Sequence, residues 1–188
     1  MFQGAGKAFV AGADIRYFVE KIKAGRIPDI VDFTRKGHEL LLRIEESKKL
    51  TIALLDGLSL GGGSELALAC QAIVATPAGS MAFPETGIGI FPGLGGMLRL
   101  ARHVGPELAK YYVFSGVPIS AADAHALGIV HRLVAPAEVD AAMRVSGRRR
   151  QAGQVSPTRD SGKVQAPGRH GVGRKRSAPA GRASSRRC

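Results

Sequence analysis

Two carboxylates, Glu65 and Glu85, stand 20 positions apart, each beside a backbone feature able to build a site around it. Glu65 follows Gly61-Gly62-Gly63-Ser64, and Glu85 follows Phe83-Pro84. Glycine has no Cβ, so the triplet can turn sharply and let a ligand reach the amides. A helix starting there presents unpaired N–H groups and a partial positive charge, a seat for an oxyanion. Two carboxylates at one site can divide acid and base roles where their surroundings push their pKa values apart. The chemistry this predicts is proton transfer next to a carbonyl, or addition conjugate to it. Spacing alone leaves a second reading open, in which Glu65 caps its own helix and Glu85 is a solvated loop residue.

The elements that must position these groups follow from the pattern around them. Residues 7–12 form a short apolar run that stops at Gly12, and Ala13-Asp14-Ile15 leads into a helical stretch broken by Gly25 and Pro28. A longer helix is expected from about Asp29 to Ser47, with Ile30, Phe33, Gly37, Leu40 and Ile44 as one apolar stripe and Arg35, Lys36, Glu39, Arg43, Glu45 and Glu46 among the residues on its other faces. Thr51 to Leu55 is apolar throughout, which suits a strand covered on both sides. A buried helix from Ser64 to about Cys70 should follow the glycines, then strands at 72–75 and 81–83. A glycine-rich loop over 87–96 carries Ile88, Ile90, Phe91 and Leu94 between its glycines, so it should lie against something. Helices are expected at 95–102 and 106–114. Ser120 with Asp123 reads as an N-cap, its helix stopping at Gly128, and a last strand spans 129–134 before a helix begins near Ala137. Recurring strand, turn and helix units predict a layered α/β architecture.

Composition divides the chain. The net charge of +12 is not spread evenly: 14 Lys and Arg balance 14 Asp and Glu up to Met143, whereas from Arg144 on 13 basic residues face Asp160 alone. The same tail has no Leu, Ile, Phe, Tyr or Met. Such a segment cannot bury enough apolar area to offset its ordering entropy, so disorder is expected over 144–188, with a domain over 1–143. Whether the tail is native or out-of-frame stays open. Two cysteines, Cys70 and Cys188, make no disulfide framework and fit a reducing, cytoplasmic setting. No apolar run approaches the length of a membrane span, and no secretory signal is visible at Met1.

Other chemistries lack their patterns. Gly4-Ala5-Gly6-Lys7 lacks the upstream glycine and following hydroxyl of a phosphate loop, and no Gly-x-Gly-x-x-Gly joins a strand to a helix. His38, His103, His125 and His131 have no metal-ligand spacing, so no metal site is expected and these histidines read as surface or structural. Neither Ser59 nor Ser64 sits in a nucleophile elbow. The basic tail has the charge to bind nucleic acid but no aromatic side chains for stacking, which argues against that role.

Lys7-Ala8-Phe9-Val10-Ala11-Gly12-Ala13-Asp14-Ile15, the Gly61–Glu65 turn, Phe83-Pro84-Glu85 and Gly89-Ile90-Phe91-Pro92-Gly93-Leu94-Gly95-Gly96, in that order and spacing, resemble the crotonase (enoyl-CoA hydratase/isomerase) superfamily. Ser120–Val134 is similar to the region after them, and the resemblance spans roughly residues 4–143. It implies an α/β spiral of repeated ββα units (the ClpP/crotonase fold), with the N-terminal part missing. It also implies an acyl-CoA thioester substrate, a role in fatty acid metabolism, no cofactor beyond the coenzyme A that is part of the substrate, and a homo-oligomer, a trimer or dimer of trimers. The Ala13 and Gly62 N–H groups would form the oxyanion hole. Glu65 and Glu85 would act on one water in syn addition across the α,β double bond, as in the hydratases. Ala11, Asp14 and Ile15 would line the CoA or acyl path, and Gly61 and Gly93 would border the substrate or its water. An isomerase, another acyl-CoA reaction, and an inactive fragment or basic-tailed binding protein are the alternatives. Leu50 stands where the family usually has proline, and Gln71 where it often has aspartate.

Overall fold

Each of the first three segments of the chain adds one strand to each of two sheets and then returns through helix, and the last adds its two strands on either side of a short helix. In the computed structural model, which describes residues 1–144, the first sheet consists of β1 (Phe2–Gln3), β3 (Ile52–Leu55), β5 (Ala72–Ala75) and β8 (Arg132–Leu133), in that order and all parallel. The second consists of β2 (Ala8–Val10), β4 (Leu58–Leu60), β6 (Ser80–Ala82) and β7 (Ile119–Ser120), with only the β6–β7 pair antiparallel. Strand order follows chain order, so successive ββ pairs stack as a spiral, the α/β arrangement expected. Helices α1 (Ile15–Lys23) and α2 (Ile27–Glu45) follow the first pair, and α3 (Gly62–Ala69) follows the second. After the third come a 3-10 turn at Pro84–Ile88, α4 (Gly96–Val104) and α5 (Pro106–Ser115); α6 (Ala121–Ala126) then leads to β8. The tail expected over 144–188 lies, apart from Arg144, outside the described residues.

The fully apolar run of β3 is explained by two cores. Ala53 and Leu55 face a large cluster with Phe9, Met81, Phe83, Leu100 and Ile129, while Ile52 and Leu54 face a smaller one with Val74, Val134 and Ala142. Alternate residues of a strand point to opposite faces, so a strand covered on both sides must be apolar throughout. β5 repeats the pattern, with Ile73 in one cluster and Val74 in the other.

Several boundaries differ from the sequence reading. β1 was not expected; two residues of extended chain give too little pattern, and pairing with Ala53 and Leu54 defines it. Pro28 does not delay the second helix but sits in its first turn, where its missing N–H has no helical partner to lose. The stripe of α2 is turned by one residue, since Leu41 and Ile44 are buried and Leu40 is exposed. α3 starts at Gly62 and ends before Cys70, which caps it instead of lying mid-helix. Burial pushes the Cys70 thiol up to about 12. Ser120 caps α6 as expected, accepting the Asp123 N–H at 3.0 Å. Of the histidines, His131 accepts the Ile73 N–H through Nδ1 at 3.1 Å and His125 Nδ1 lies 2.9 Å from the Val130 carbonyl, both structural positions.

Two polar side chains hold the spiral together, one near each end of α3. The Gln71 amide donates to the carbonyls of Glu45 at 3.1 Å and Ser47 at 2.7 Å, closing the carbonyl end of α2; an aspartate there has no N–H to give. The Ser64 hydroxyl, completely buried, lies 3.0 Å from the carbonyls of Ser59 and Ala82 and accepts the Ala82 N–H at 3.2 Å, locking α3 onto β4 and β6. Ser64→Ala strands a buried amide and removes a donor from two carbonyls, so a loss of about 1–3 kcal/mol is expected in urea or thermal unfolding.

Candidate active site

The carboxyl ends of β2 and β4 bring two backbone turns together. The strands pair in parallel, Val10 opposite Ser59. Gly12 (φ 87°) comes so close that a Cβ would lie 3.1 Å from the Leu60 carbonyl oxygen, and a Cβ on Gly63 would collide with the Val10 carbonyl. Ala13 and the Gly61–Gly63 turn therefore lie at the same end of neighbouring strands. Gly61 caps α3 with φ 51° and donates its N–H to the Ala82 carbonyl at 2.9 Å, while Gly62, the first residue of α3, is half-buried.

Glu65 lies in the first turn of α3 and is only 2% exposed. Its Oε1 accepts two backbone N–H groups, from Leu94 and Gly96, both at 2.8 Å. Gly95 (φ 90°) caps α4, so Glu65 closes the N-terminus of a helix other than its own. Burial pushes its carboxyl above the ordinary 4.5, while the two N–H groups, Arg99 and His38 pull it back. The open alternative, that Glu65 caps its own helix, is thereby excluded: its hydrogen bonds reach across to Gly96 of α4 and to Leu94 just before it, and α3 has no side-chain cap.

Glu85 sits on the 3-10 turn after the fully buried Phe83. Thr86 anchors this turn, its hydroxyl lying 3.1 Å from the Val113 carbonyl and 3.3 Å from that of Phe114 at the end of α5. Glu85 Oε1 reaches the glycine turn, 2.6 Å from where a Cβ on Gly61 would be. Its Oε2 is buried and has no hydrogen-bond partner among the described residues. Burial pushes the Glu85 carboxyl up, its own backbone N–H pulls it down, and the charge of Glu65 pushes it up further. The two carboxylates thus share one electrostatic neighbourhood with unequal surroundings: Glu65 is held by two amides, and Glu85 offers an unsatisfied oxygen. Such a pair can hold one water and move a proton to or from a neighbouring carbon.

The other expected positions lie on two segments. Ala11, Asp14 and Ile15 are exposed, the first two between β2 and α1 and Ile15 at the start of α1, which Asp14 caps by accepting the Arg16 N–H at 3.0 Å. Gly93 lies in the loop over the site, with no atom closer than 3.9 Å to a Cβ built on it. Sequence reasoning missed Leu94 and Gly96 as donors, since any residue but proline carries an N–H. It also set Glu45 among the exposed charges of α2, whereas its carboxylate meets Arg99. The available signal was Arg99 itself, an arginine three residues after Gly96 in an otherwise apolar stretch.

The family model for enoyl-CoA hydratase/isomerase matches residues 1–161. A crotonyl-CoA hydratase of Syntrophomonas wolfei is 37% identical over 155 residues, covering 81% of this chain and 58% of the relative. A short-chain-enoyl-CoA hydratase of Clostridium acetobutylicum is 39% identical, covering 72% of this chain and 51% of the relative. Among solved structures, an enoyl-CoA hydratase from Bacillus anthracis superposes with a TM-score of 0.69 at 32% identity, covering 78% of this chain and 56% of the other. The chain spans about half the length of the relatives it matches.

A Cβ on Gly96 would lie 2.6 Å from Glu65 Cγ and 3.0 Å from the immobile ring of Phe83, whereas one on Gly93 fits. Gly96→Ala should lose about 1–3 kcal/mol in denaturant unfolding, and Gly93→Ala should stay within about 0.5 kcal/mol of the parent. Glu85, with its carboxyl raised on folding, favours the folded state fully below its unfolded value of 4.5 and loses that contribution as pH rises through the folded value. The melting temperature of Glu85→Gln relative to the parent should therefore climb as pH is raised from about 4 to 7; a flat difference contradicts a raised Glu85.

Proposed function

Because the chain belongs to the enoyl-CoA hydratase/isomerase family, we propose that it carries the chemistry of an enoyl-CoA hydratase, syn addition of water to the α,β double bond of an enoyl-CoA thioester. The observation that carries this reading is the pairing of Glu65 and Glu85 at the Gly61–Gly62 turn, one carboxylate fixed by the Leu94 and Gly96 amides and the other with a buried unpaired oxygen.

In the proposed mechanism the thioester oxygen sits between the N–H groups of Ala13 and Gly62. Backbone amides suit this role because they are fixed dipoles that need no reorganisation as negative charge moves onto the oxygen. The adjacent strand ends of β2 and β4, and the half-exposure of Gly62 at the start of α3, support the assignment. The water lies between the two carboxylates. One of them takes a proton from it as the oxygen bonds to the β-carbon, and the electron pair of the double bond moves toward the thioester to give an enolate held by the two amides. The other carboxyl group, protonated at the start, delivers its proton to the α-carbon, and the proton taken from the water then passes back to it, so that both carboxyl groups end as they began. Both partners lie on one side of the substrate, so the addition is syn. Every proton in this scheme comes from the water or a carboxyl group.

The proposal takes Ala11, Asp14 and Ile15 as the path of the CoA or acyl chain, Gly61 and Gly93 as the border of the substrate and its water, and residues 1–143 as the domain. It includes assembly as a trimer or dimer of trimers, in keeping with exposed apolar side chains such as Phe91, Leu98 and Phe114. It also includes a cytoplasmic setting; no helix among the described residues is long and apolar enough to cross a membrane.

The test is crotonoyl-CoA hydration, followed by loss of the conjugated thioester absorbance. The parent chain should hydrate it, and Glu65→Gln and Glu85→Gln should each lower kcat by about 100-fold or more while leaving KM within a few-fold. Robust turnover insensitive to Glu65→Gln points to the isomerase-type alternative, and an inactive parent overturns the reading for this chain.

A further inference from the structure

The same peptide segment that supplies both N–H groups to Glu65 is gripped from behind by an arginine outside the proposed chemistry. Arg99, only 6% exposed, lies on α4. Its Nη1 donates to the Leu94 carbonyl at 2.7 Å. Its Nε and Nη2 reach Glu45 Oε2 at the end of α2, at 3.0 and 2.9 Å. The surface residue Arg102 holds the other oxygen of Glu45 at 2.8 Å.

We propose that Arg99 is a positioning residue: anchored on Glu45, it fixes the Leu94 carbonyl so that the amides of Leu94 and Gly96 converge on Glu65 Oε1. The geometry gives the reason. The Leu94 carbonyl belongs to the peptide plane between the two that donate. Pulling that carbonyl toward Arg99 orients the flanking N–H groups away from it, toward the carboxylate. Two further features serve the arrangement. Gly95 leaves room for the guanidinium, since a Cβ there would lie 2.9 Å from Nη1. The Leu94 side chain seats against α2 at Gly37, where a Cβ would meet it at 2.7 Å. The guanidinium suits the task because its planar fork reaches Glu45 and the carbonyl together; a lysine ammonium in its place is a single point charge. As a role in catalysis this rests on the hydratase reading, but the link from Arg99 to Glu65 can be read without turnover.

The test uses the full chain and its Arg99→Met, Arg99→Lys and Arg102→Met variants. NMR records the Leu94 and Gly96 amide shifts and, in protein labelled with carbon-13 glutamate, the titration of Glu65, its signal assigned with Glu65→Gln. The charged groups acting on Glu65 are Arg99 from α4 and His38 from α2, and Glu85 of the neighbouring turn couples to it. Removing Arg99 takes away one positive influence, so Arg99→Met should move the Glu65 midpoint upward and shift both amides toward weaker hydrogen bonding. Where the chain hydrates crotonoyl-CoA, kcat should drop by about 100-fold with KM little changed. Arg99→Lys keeps the charge, so in the folded variant the midpoint should stay near the parent's while its amide shifts and kcat fall between parent and Arg99→Met. Arg102→Met should match the parent throughout. Parent-like amide shifts and kcat in a folded Arg99→Lys protein overturn the proposal, as does an unmoved Glu65 midpoint in Arg99→Met. Displaced amides and midpoint in a chain that hydrates nothing support the positioning role while overturning the hydratase reading.

Discussion

A carboxylate taken out of water needs donors, and at Glu65 the two donors are backbone amides whose direction is set by the chain. That requirement organises much of the structure around it. Gly95 must be left-handed to start α4 where it does, Gly96 must lack a Cβ to lie against Glu65, and Phe83 must be buried beside both. Glu65 in turn serves as the cap of α4, tying the helix after the second ββ pair to the one after the third. One interaction thereby joins the proposed reacting group to the stacking of the spiral.

The two carboxylates differ because their elements differ. Glu65 is on a helix buried nearly all round, so its position follows from core packing. Glu85 is on a single 3-10 turn held by Thr86 against the end of α5, with Gly89 closing it in the left-handed conformation. Burial raises both carboxyl groups, but two amides hold one, whereas an oxygen of the other has no partner among the described residues. An unsatisfied buried oxygen opposes folding, and such groups are found where a water or substrate is to be held. Among the described residues the buried Ser59 hydroxyl, on β4, also lacks a partner.

Close backbone approach is the other recurring constraint. Gly12 against Leu60, Gly57 against Lys7 and Gly63 against Val10 are all contacts between the first ββ pair and the second, and each excludes a side chain. They bring the end of β2 to the start of α3, which sets the proposed oxyanion amides of Ala13 and Gly62 on neighbouring segments. Gln71 does the equivalent work on the far side, closing the end of α2 against the start of β3.

The sequence by itself singled out the two carboxylates and the order of most of the elements. Apolar runs mark strands covered on two faces, Ser120 and Asp123 mark a cap, and the glycines beside Glu65 mark a turn, because each of these is a local property written in residue type and spacing. Tertiary structure alone decided what holds the centre. Any residue except proline presents an N–H, so nothing in the letters singles out Leu94 and Gly96 as donors to a carboxylate 29 and 31 positions away. Nor can helical periodicity show that Glu45, on the polar side of α2, meets a buried arginine 54 positions on. Two-residue strands such as β1 and β8 were invisible or blurred for the same reason: they exist through pairing, and pairing is decided by the fold. Residue chemistry is local, whereas hydrogen-bond direction and burial belong to the assembled chain, and the site depends on both.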